Sequence, residues 1–180
     1  RDVGNSNYGT AIVGTISGTS ISFGTAVVFE SASTDWIAIT SPSATQVVIT
    51  YKDTGNSSYG TAIVGTISGT SISFGSAAVF ESASTVYTSV ASTTQVVIAY
   101  RGTSNYGRAK VGTISGTSIS FGSVAIFSSA VTSYVNVSAI SATQVVIAYT
   151  AASGYGSARV GTVSGTTISY GTAVVFKSSN

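Results

Sequence analysis

The sequence contains no cysteine, no histidine and no methionine, and only one of its 180 residues is proline. Without cysteine there are no disulfides or thiolate metal sites, and without histidine the most common general base and metal ligand is missing. Charged residues make up 7% of the chain, against roughly 25% in ordinary globular proteins. The net charge of +2 is not the basic excess typical of nucleic-acid-binding proteins. We therefore expect neither a cofactor nor a nucleic-acid partner.

Long apolar runs are also absent. Runs such as residues 45–51 (TQVVITY) are far shorter than the roughly 20 residues of a membrane helix, so we expect no membrane insertion. The first residue is not methionine, and we expect a processed chain, a fragment or a product freed of a tag. Low charge, no sulfur and abundant Ser, Thr and Gly favour an extracellular or virion-surface location.

One motif of eleven residues recurs several times along the chain. GTISGTSISFG occupies residues 14–24, 65–75 and 112–122, and the variant GTVSGTTISYG occupies residues 161–171. The sequence Thr-Gln-Val-Val begins at Thr45, Thr94 and Thr143, so the period is 49 residues, a length typical of tandem structural repeats.

Each period predicts four strands and no helix. Residues 36–40 (WIAIT) form the first type, 45–51 the second, 9–17 the third and 20–30 the fourth. The second type is apolar on both faces, which predicts a strand buried on both sides. Gly18-Thr19 and its three counterparts predict a two-residue hairpin with glycine at the first central position. Gly14 and Gly24 lie inside strands, which indicates a close approach by a neighbouring sheet.

One copy offers too few large apolar side chains to fold alone, so we expect the copies to stack face to face. Four-stranded units of this length predict an all-β, β-propeller-type array of antiparallel blades in a single repeat domain, residues 1–180. Residues 1–31 form a half blade, and residues 32–82, 83–129 and 130–180 form full blades. Fourteen strands, or roughly three and a half blades, leave open ends that favour self-assembly into a homo-oligomer or a fibre.

The repeated motifs YGxAxVGTxSGTSISFGxxVVF and xxVVIAYRD resemble tandem β-propeller blades of phage-encoded and environmental bacterial proteins. The resemblance covers nearly the whole chain and implies a propeller fold. The functions inferred for such proteins concern surface attachment or binding. The third and fourth copies depart from the pattern because they lack the Arg-Asp pair before the loop.

The acidic residues do not predict an active site. The chain has five of them: Asp2, Glu30, Asp35, Asp53 and Glu81. Glu30 and Glu81 occupy the same position in successive copies, too far apart for a catalytic pair, and we interpret them as edge-strand charges that discourage pairing. We therefore expect no enzymatic activity, no catalytic residue and no metal site.

The best candidates for ligand binding lie in the loops before the third strand type. Asn and Tyr side chains beside glycine suit hydrogen bonding and stacking on a sugar, and the six candidates are Asn7, Tyr8, Asn56, Tyr59, Asn105 and Tyr106. The alternative is a polar turn whose residues tolerate left-handed backbone geometry. Trp36, Tyr87 and Tyr134 share another position, which we interpret as an aromatic packing position.

Two triplets, beginning at Asn56 and Asn136, fit the N-glycosylation pattern. Taken together, the sequence predicts a non-enzymatic structural or attachment protein, extracellular or on a virion, that associates with itself. The alternative is a carbohydrate-binding propeller that recognises cell-surface glycans through its repeated loops.

Overall fold

The computed structural model describes residues 1–178 and consists almost wholly of β-strands, which confirms the all-β class. Within those residues there are eighteen strands and one 3-10 turn, Thr103–Asn105. The first nine strands are β1 (Tyr8–Ala11), β2 (Gly14–Ser17), β3 (Ser20–Phe23), β4 (Val27–Ser43), β5 (Gln46–Asp53), β6 (Tyr59–Ser68), β7 (Ser71–Phe74), β8 (Ala78–Ser84) and β9 (Val86–Ser92). The other nine are β10 (Val96–Arg101), β11 (Tyr106–Ser115), β12 (Ser118–Phe121), β13 (Ala125–Val131), β14 (Ser133–Ala139), β15 (Gln144–Thr150), β16 (Gly156–Ser164), β17 (Thr167–Tyr170) and β18 (Val174–Lys177). The last two residues of the fourth predicted blade, 179 and 180, lie outside the described residues.

The strands form four antiparallel sheets. The largest has the order β1-β4-β5-β6-β7, with β8 also paired to β6. The next two follow the same plan, β12-β11-β10-β9 with β13 on β11, and β14-β15-β16-β17 with β18 on β16. The hairpin β2-β3 is a sheet of its own. Most strands therefore pair with the next strand in sequence, as expected for chains of short hairpins, and the exceptions are the pairs β1-β4, β6-β8, β11-β13 and β16-β18.

Two of the three strands of the second type, β5 and β10, are buried on both sides, as their apolar sequence predicted, whereas in β15 buried and half-buried residues alternate. In β5 the side chains of Val48, Thr50 and Tyr51 are inaccessible to solvent, and in β10 the run from Val97 to Tyr100 is equally buried. These strands lie in the middle of their sheets, between the first and third types. The core of the molecule therefore runs through the centres of the stacked sheets.

The fourth strand type was predicted as one continuous strand, and this is wrong in every copy. In the second copy β7 and β8 both pair with β6, and residues 75–77 interrupt them. Between the pairs Gly65–Phe74 and Ala62–Ala78, the fourth strand carries one more residue than β6. An extra residue of this kind is a β-bulge, which bends and twists the strand.

Two further strand boundaries differ from the prediction. The third type is continuous in β6, β11 and β16, but in the first copy it is divided into β1 and β2. The first type, predicted at residues 36–40, starts earlier, because β4 runs without a break from the fourth strand of the first copy to Ser43. Pairing on both of its halves, with β1 and with β5, keeps this long strand extended.

The hairpin glycines have the backbone conformation that the sequence predicted. Gly18, Gly69, Gly116 and Gly165 have φ angles between +55° and +60°. Glycine adopts such angles without the steric cost that a Cβ atom imposes. The pairs Ser17–Ser20 and Ser68–Ser71 close two-residue turns around the first two of these glycines.

The mid-strand glycines Gly14 and Gly24 both lie close to other atoms, but only Gly24 is close to a neighbouring copy, as was predicted for both. A Cβ atom on Gly24, Gly75 or Gly122 would overlap the carbonyl oxygen of Thr70, Thr117 or Thr166, each in the hairpin turn of the next copy. A Cβ atom on Gly14 would instead meet Ile21 and Phe23 of its own hairpin. The prediction of a neighbouring sheet is therefore correct for Gly24, where a turn makes the contact, and wrong for Gly14.

Successive sheets pack broadside through a repeated group of aromatic rings. Phe29 contacts Tyr51 and Phe74 of the next copy, with ring centroids 5.2 and 5.8 Å apart. The same arrangement recurs with Phe80 against Tyr100 and Phe121, and with Phe127 against Tyr149 and Tyr170. Each of these phenylalanines lies over a glycine, because a Cβ atom on Gly9, Gly60 or Gly107 would overlap its ring. Glycine at the Tyr-Gly position thus leaves room for the ring that joins two sheets.

The first strands of successive sheets are also linked directly. The Thr88 hydroxyl donates to the Trp36 carbonyl, the hydroxyls of Thr40 and Ser92 lie 3.1 Å apart, and the Val137 amide donates to Ser89 Oγ at 3.0 Å. These bonds join β4 to β9 and β9 to β14. Each of these bonds pairs polar groups at an interface between successive copies.

The two ends of the stack expose the residues that the interior buries. Phe176 is 65% exposed, whereas its counterparts Phe80 and Phe127 are 1% exposed. At the other end Ile21 is 55% exposed, whereas Ile72 is 8% exposed. Within residues 1–178 the structure is therefore an open stack whose two end faces are uncovered.

Candidate functional site

The predicted ligand loops are tight turns with a shared backbone geometry. In the first copy Ser6 and Asn7 have φ angles of 53° and 63°, and the Tyr8 amide donates to the Asn5 carbonyl at 2.9 Å. Two successive residues with positive φ inside a four-residue hydrogen-bonded turn define a type I′ turn. Ser57 and Ser58 adopt the same conformation before Tyr59. This geometry accounts for the Asn, Ser and Gly content of the loops.

The acidic residues of the first two loops hold the loop backbone. Asp2 Oδ1 accepts from the Gly4 amide at 3.0 Å, and Asp53 Oδ1 accepts from Gly55 and Asn56 at 3.0 and 3.1 Å. Asp53 is almost fully buried in this role. The two carboxylates are therefore engaged with their own loops.

The loops also connect one copy to the next. The carbonyl groups of Asn7, Ser58 and Asn105 accept hydrogen bonds from the amides of Thr34, Thr85 and Thr132, respectively, at 3.0 to 3.2 Å. Each of these threonines is fully buried at the start of the following first strand. The loop backbone thus has a structural role that the sequence did not indicate.

The six predicted ligand residues lie in the equivalent loops of three copies, with Asn7 and Asn105 directly before their tyrosines and Asn56 three residues before Tyr59. Within residues 1–178 no hydrogen bond or ring contact joins these six side chains to one another. Tyr8, Tyr59 and Tyr106 begin β1, β6 and β11 and are half-buried. Asn56 and Asn105 are exposed and Asn7 is half-buried. The side chains are therefore accessible, one group in each copy, in a row that follows the stack.

A second row of aromatic residues lies at the start of the first strands. The ring centroid of Tyr87 is 4.4 Å from that of Trp36 and 5.3 Å from that of Tyr134. Trp36 is 45% exposed and Tyr134 is 72% exposed, so the column of three rings is open to solvent at both ends, whereas the half-buried Tyr87 between them also packs against the core. The interpretation as a packing position is correct for the mutual contacts, but it does not account for this exposure.

The backbone under the aromatic column is in an unfavourable conformation. Trp36, Tyr87 and Tyr134 have φ angles of 51°, 55° and 51°, which are rare for bulky side chains. In each strand this residue falls at an irregularity in the pairing with the second strand. Bulges often redirect a side chain, and strained residues concentrate at binding sites. Three adjacent copies with the same outlier make the aromatic column a candidate site.

A row of basic residues follows the aromatic column. Arg1, Lys52 and Arg101 hold equivalent positions in three copies. Arg1 Nη1 lies 2.6 Å from Asp35 Oδ1, next to Trp36, and the Arg101 guanidinium lies 4.9 Å from the centroid of the Tyr87 ring. Two of the three cations therefore lie next to the aromatic column, Arg101 against the Tyr87 ring and Arg1 through Asp35.

Glu30 and Glu81 lie on strand segments that pair on one side only, with β1 and with β6, as the edge-strand interpretation expected, but they also have a role that the sequence did not indicate. Glu30 Oε2 accepts from the buried Tyr51 hydroxyl at 3.1 Å, and Glu81 Oε2 accepts from Tyr100 at 3.0 Å. Arg108 Nη1 lies 3.4 Å from Glu81 Oε2. Each glutamate therefore joins its own copy of the repeat to the next one. Burial, and then the charge of the nearby glutamate, raises the pKa of the Tyr51 and Tyr100 hydroxyls well above the ordinary value.

Both predicted glycosylation asparagines are exposed. Asn56 lies in the second loop, and Asn136 lies on β14. Access by a transferase requires such exposure.

Two other kinds of feature in the described residues would bear on function, namely metal-binding clusters and membrane-spanning helices. Within residues 1–178 no three side chains of the Asp, Glu, His and Cys types cluster in a way that would hold a metal ion. No helix in that part of the chain is long and apolar enough to cross a membrane.

The chain matches no known family model, no curated protein and no solved structure. The function must therefore be argued from the geometry of the molecule itself.

Proposed function

We propose that the chain is a β-propeller-type array that serves as a non-enzymatic structural or attachment component, extracellular or on a virion surface, and that assembles with copies of itself. The observation that carries the proposal is the exposure at the two ends of side chains that are buried at every internal sheet interface. Exposed apolar patches of this kind are typical of protein–protein contacts.

The internal interfaces indicate how two copies would meet. Inside the chain, the hairpin residue Ile119 packs in one cluster with Val64 and Phe80 of the preceding copy. At the start of the chain, Ile21 and Phe23 of the β2-β3 hairpin have no preceding sheet beneath them.

The last sheet offers the complementary surface. Val174 and Phe176 on β18 lack the hairpin that covers their counterparts in the interior, and both are exposed. The hairpin of one molecule therefore fits the last sheet of another in the manner of the internal contacts. A head-to-tail contact of this type generates a ring if the rotation closes and a filament if it does not.

Sedimentation velocity with negative-stain electron microscopy over a range of concentrations tests the proposal. The expected result is association that increases with concentration and yields rings or filaments. A monomer at all concentrations would contradict it.

Two substitutions on β18 provide a matched pair. Phe176→Asp places a charge on the uncovered face and is expected to abolish association. Val175→Asp is its control, because Val175 and its counterparts Val28, Val79 and Ile126 are exposed in every copy. Equal effects of the two substitutions would exclude this face as the contact.

A further inference from the structure

The loop of the third copy lacks the aspartate that the loops of the first two copies contain. Gly102 stands where Asp2 and Asp53 hold their loops, and the loop is two residues shorter than that of the second copy. The turn itself is kept, because Ser104 and Asn105 have positive φ angles and the Tyr106 amide donates to the Thr103 carbonyl. The Thr103 amide is the counterpart of the Asn56 amide, which donates to Asp53. In the third copy no side-chain carboxylate of the loop occupies that place.

A concavity of about 260 Å³ opens at this loop. Residues 101–105 line it together with Ser84 and Val86. Sites for drug-sized ligands measure roughly 300–1,000 Å³, so a space of this size suits a single sugar-sized unit. The lining is rich in hydroxyl, amide and backbone polar groups, which bind the hydroxyls of a sugar.

Arg101 supplies the positive charge at the concavity. Its guanidinium lies 4.9 Å from the centroid of the Tyr87 ring, and Nη1 lies 3.5 Å from Ser133 Oγ. Within residues 1–178 it forms no ion pair with a carboxylate, whereas the equivalent Arg1 pairs with Asp35 at 2.6 Å. A guanidinium without a counter-ion is well suited to bind a carboxylate through two parallel hydrogen bonds.

We propose that the concavity of the third copy binds the carboxylate of an acidic sugar residue of the uronic acid class. Arg101 and the loop amides bind the carboxylate, in place of the aspartate that the first two copies carry. Tyr87, whose ring centroid lies 4.9 Å from the guanidinium, contacts the apolar face of the sugar ring, as aromatic side chains combine apolar contact with a polar edge.

Isothermal titration with trigalacturonate and with its methyl ester tests the proposal. The acid is expected to bind and the ester, which has the same rings without the charge, is expected to bind at least about tenfold more weakly, as loss of a charged hydrogen bond implies. Arg101→Gln is expected to lower the affinity for the acid by a similar factor. Lys52→Gln is the matched control, because its loop is already occupied by Asp53, and it is expected to leave the affinity unchanged.

Tyr87→Gly separates binding from folding. Glycine accepts the positive φ angle at this position, so the variant is expected to fold while losing affinity for trigalacturonate. Absence of binding by the unmodified protein, equal binding of the acid and its ester, or unchanged affinity of Arg101→Gln would each overturn the proposal. Titration below the concentration at which the protein associates keeps this result independent of the assembly test.

Discussion

Phe127 and Phe176 occupy the same repeat position in different surroundings, and this difference predicts unequal effects of truncation. Phe127 is buried, with its ring centroid 5.1 Å from that of Tyr149 and 6.2 Å from that of Tyr170 in the next sheet. Phe176 on the last sheet is mostly exposed. The two residues therefore form an internal comparison of a stacked and an unstacked sheet.

The cost of Phe127→Ala follows from the contacts that it removes. Truncation of a buried phenylalanine lowers the free energy of unfolding by about 3–5 kcal/mol, and aromatic pairing is included in that loss. For a chain of this length, a loss of about 1 kcal/mol in the free energy of unfolding lowers the melting temperature by roughly 2–4 °C. The melting temperature of Phe127→Ala is therefore expected to fall by roughly 6–20 °C. Phe176→Ala in the dilute monomer is expected to change the free energy of unfolding by less than about 0.5 kcal/mol.

Urea unfolding followed by circular dichroism, together with Trp36 fluorescence, measures both variants. Coincidence of the two signals shows whether the stack unfolds as one unit, on which the free-energy comparison depends. Equal losses for Phe127→Ala and Phe176→Ala would refute the reasoning, because they would mean that the neighbouring sheet contributes nothing.

Two further predictions concern titratable groups. Burial raises the pKa of Tyr51, Tyr100 and Tyr170, so their neutral forms favour the folded state. The stability that they contribute is present below the unfolded-state value of about 10 and is lost as the pH rises above it. Urea unfolding between pH 8 and 11 is expected to show this loss, and Tyr100→Phe is expected to make it shallower; a slope unchanged by the substitution would contradict the assignment. The Arg1–Asp35 pair is at the surface, so Asp35→Asn is expected to change the free energy of unfolding by less than about 1 kcal/mol, and a larger loss in the same assay would show that the pair is structural.

The sequence was sufficient to predict much of the fold, because the decisive signals are local. Alternation of apolar residues, the apolar second strands and the hairpin glycines depend on neighbouring residues, and each matched the structure. The division of the fourth strand was missed, since its alternation continues through Gly24 and nothing local marks the extra residue. The Thr70 carbonyl that lies against Gly24 belongs to the next copy, so the residues around Gly24 do not indicate this contact.

The candidate site was less predictable. The sequence identified the loops around Asn7, Asn56 and Asn105. The hydrogen bonds that these loops accept from Thr34, Thr85 and Thr132 were not predicted, because each threonine belongs to the following copy and is distant from its loop in sequence. The aromatic column was interpreted as packing because a single sequence does not show exposure or backbone angle. One signal was available, namely that Gly102 replaces an aspartate in an otherwise recurring loop. The hydrogen bonds of Glu30 and Glu81 were not predicted, because their partners, Tyr51 and Tyr100, lie in the following copy.

Substitution of two equivalent glycines tests most directly whether successive sheets stack broadside. A methyl group on Gly75 would overlap the Thr117 carbonyl of the next copy, whereas on Gly171 the nearest such atom, the Val160 carbonyl oxygen, is 3.8 Å away. Gly75→Ala is expected to lower the free energy of unfolding by about 1–3 kcal/mol, the usual cost of forcing extra volume into a packed interface. Gly171→Ala is expected to be neutral or slightly stabilising, by less than about 1 kcal/mol. Equal effects in urea unfolding would contradict the stacked arrangement.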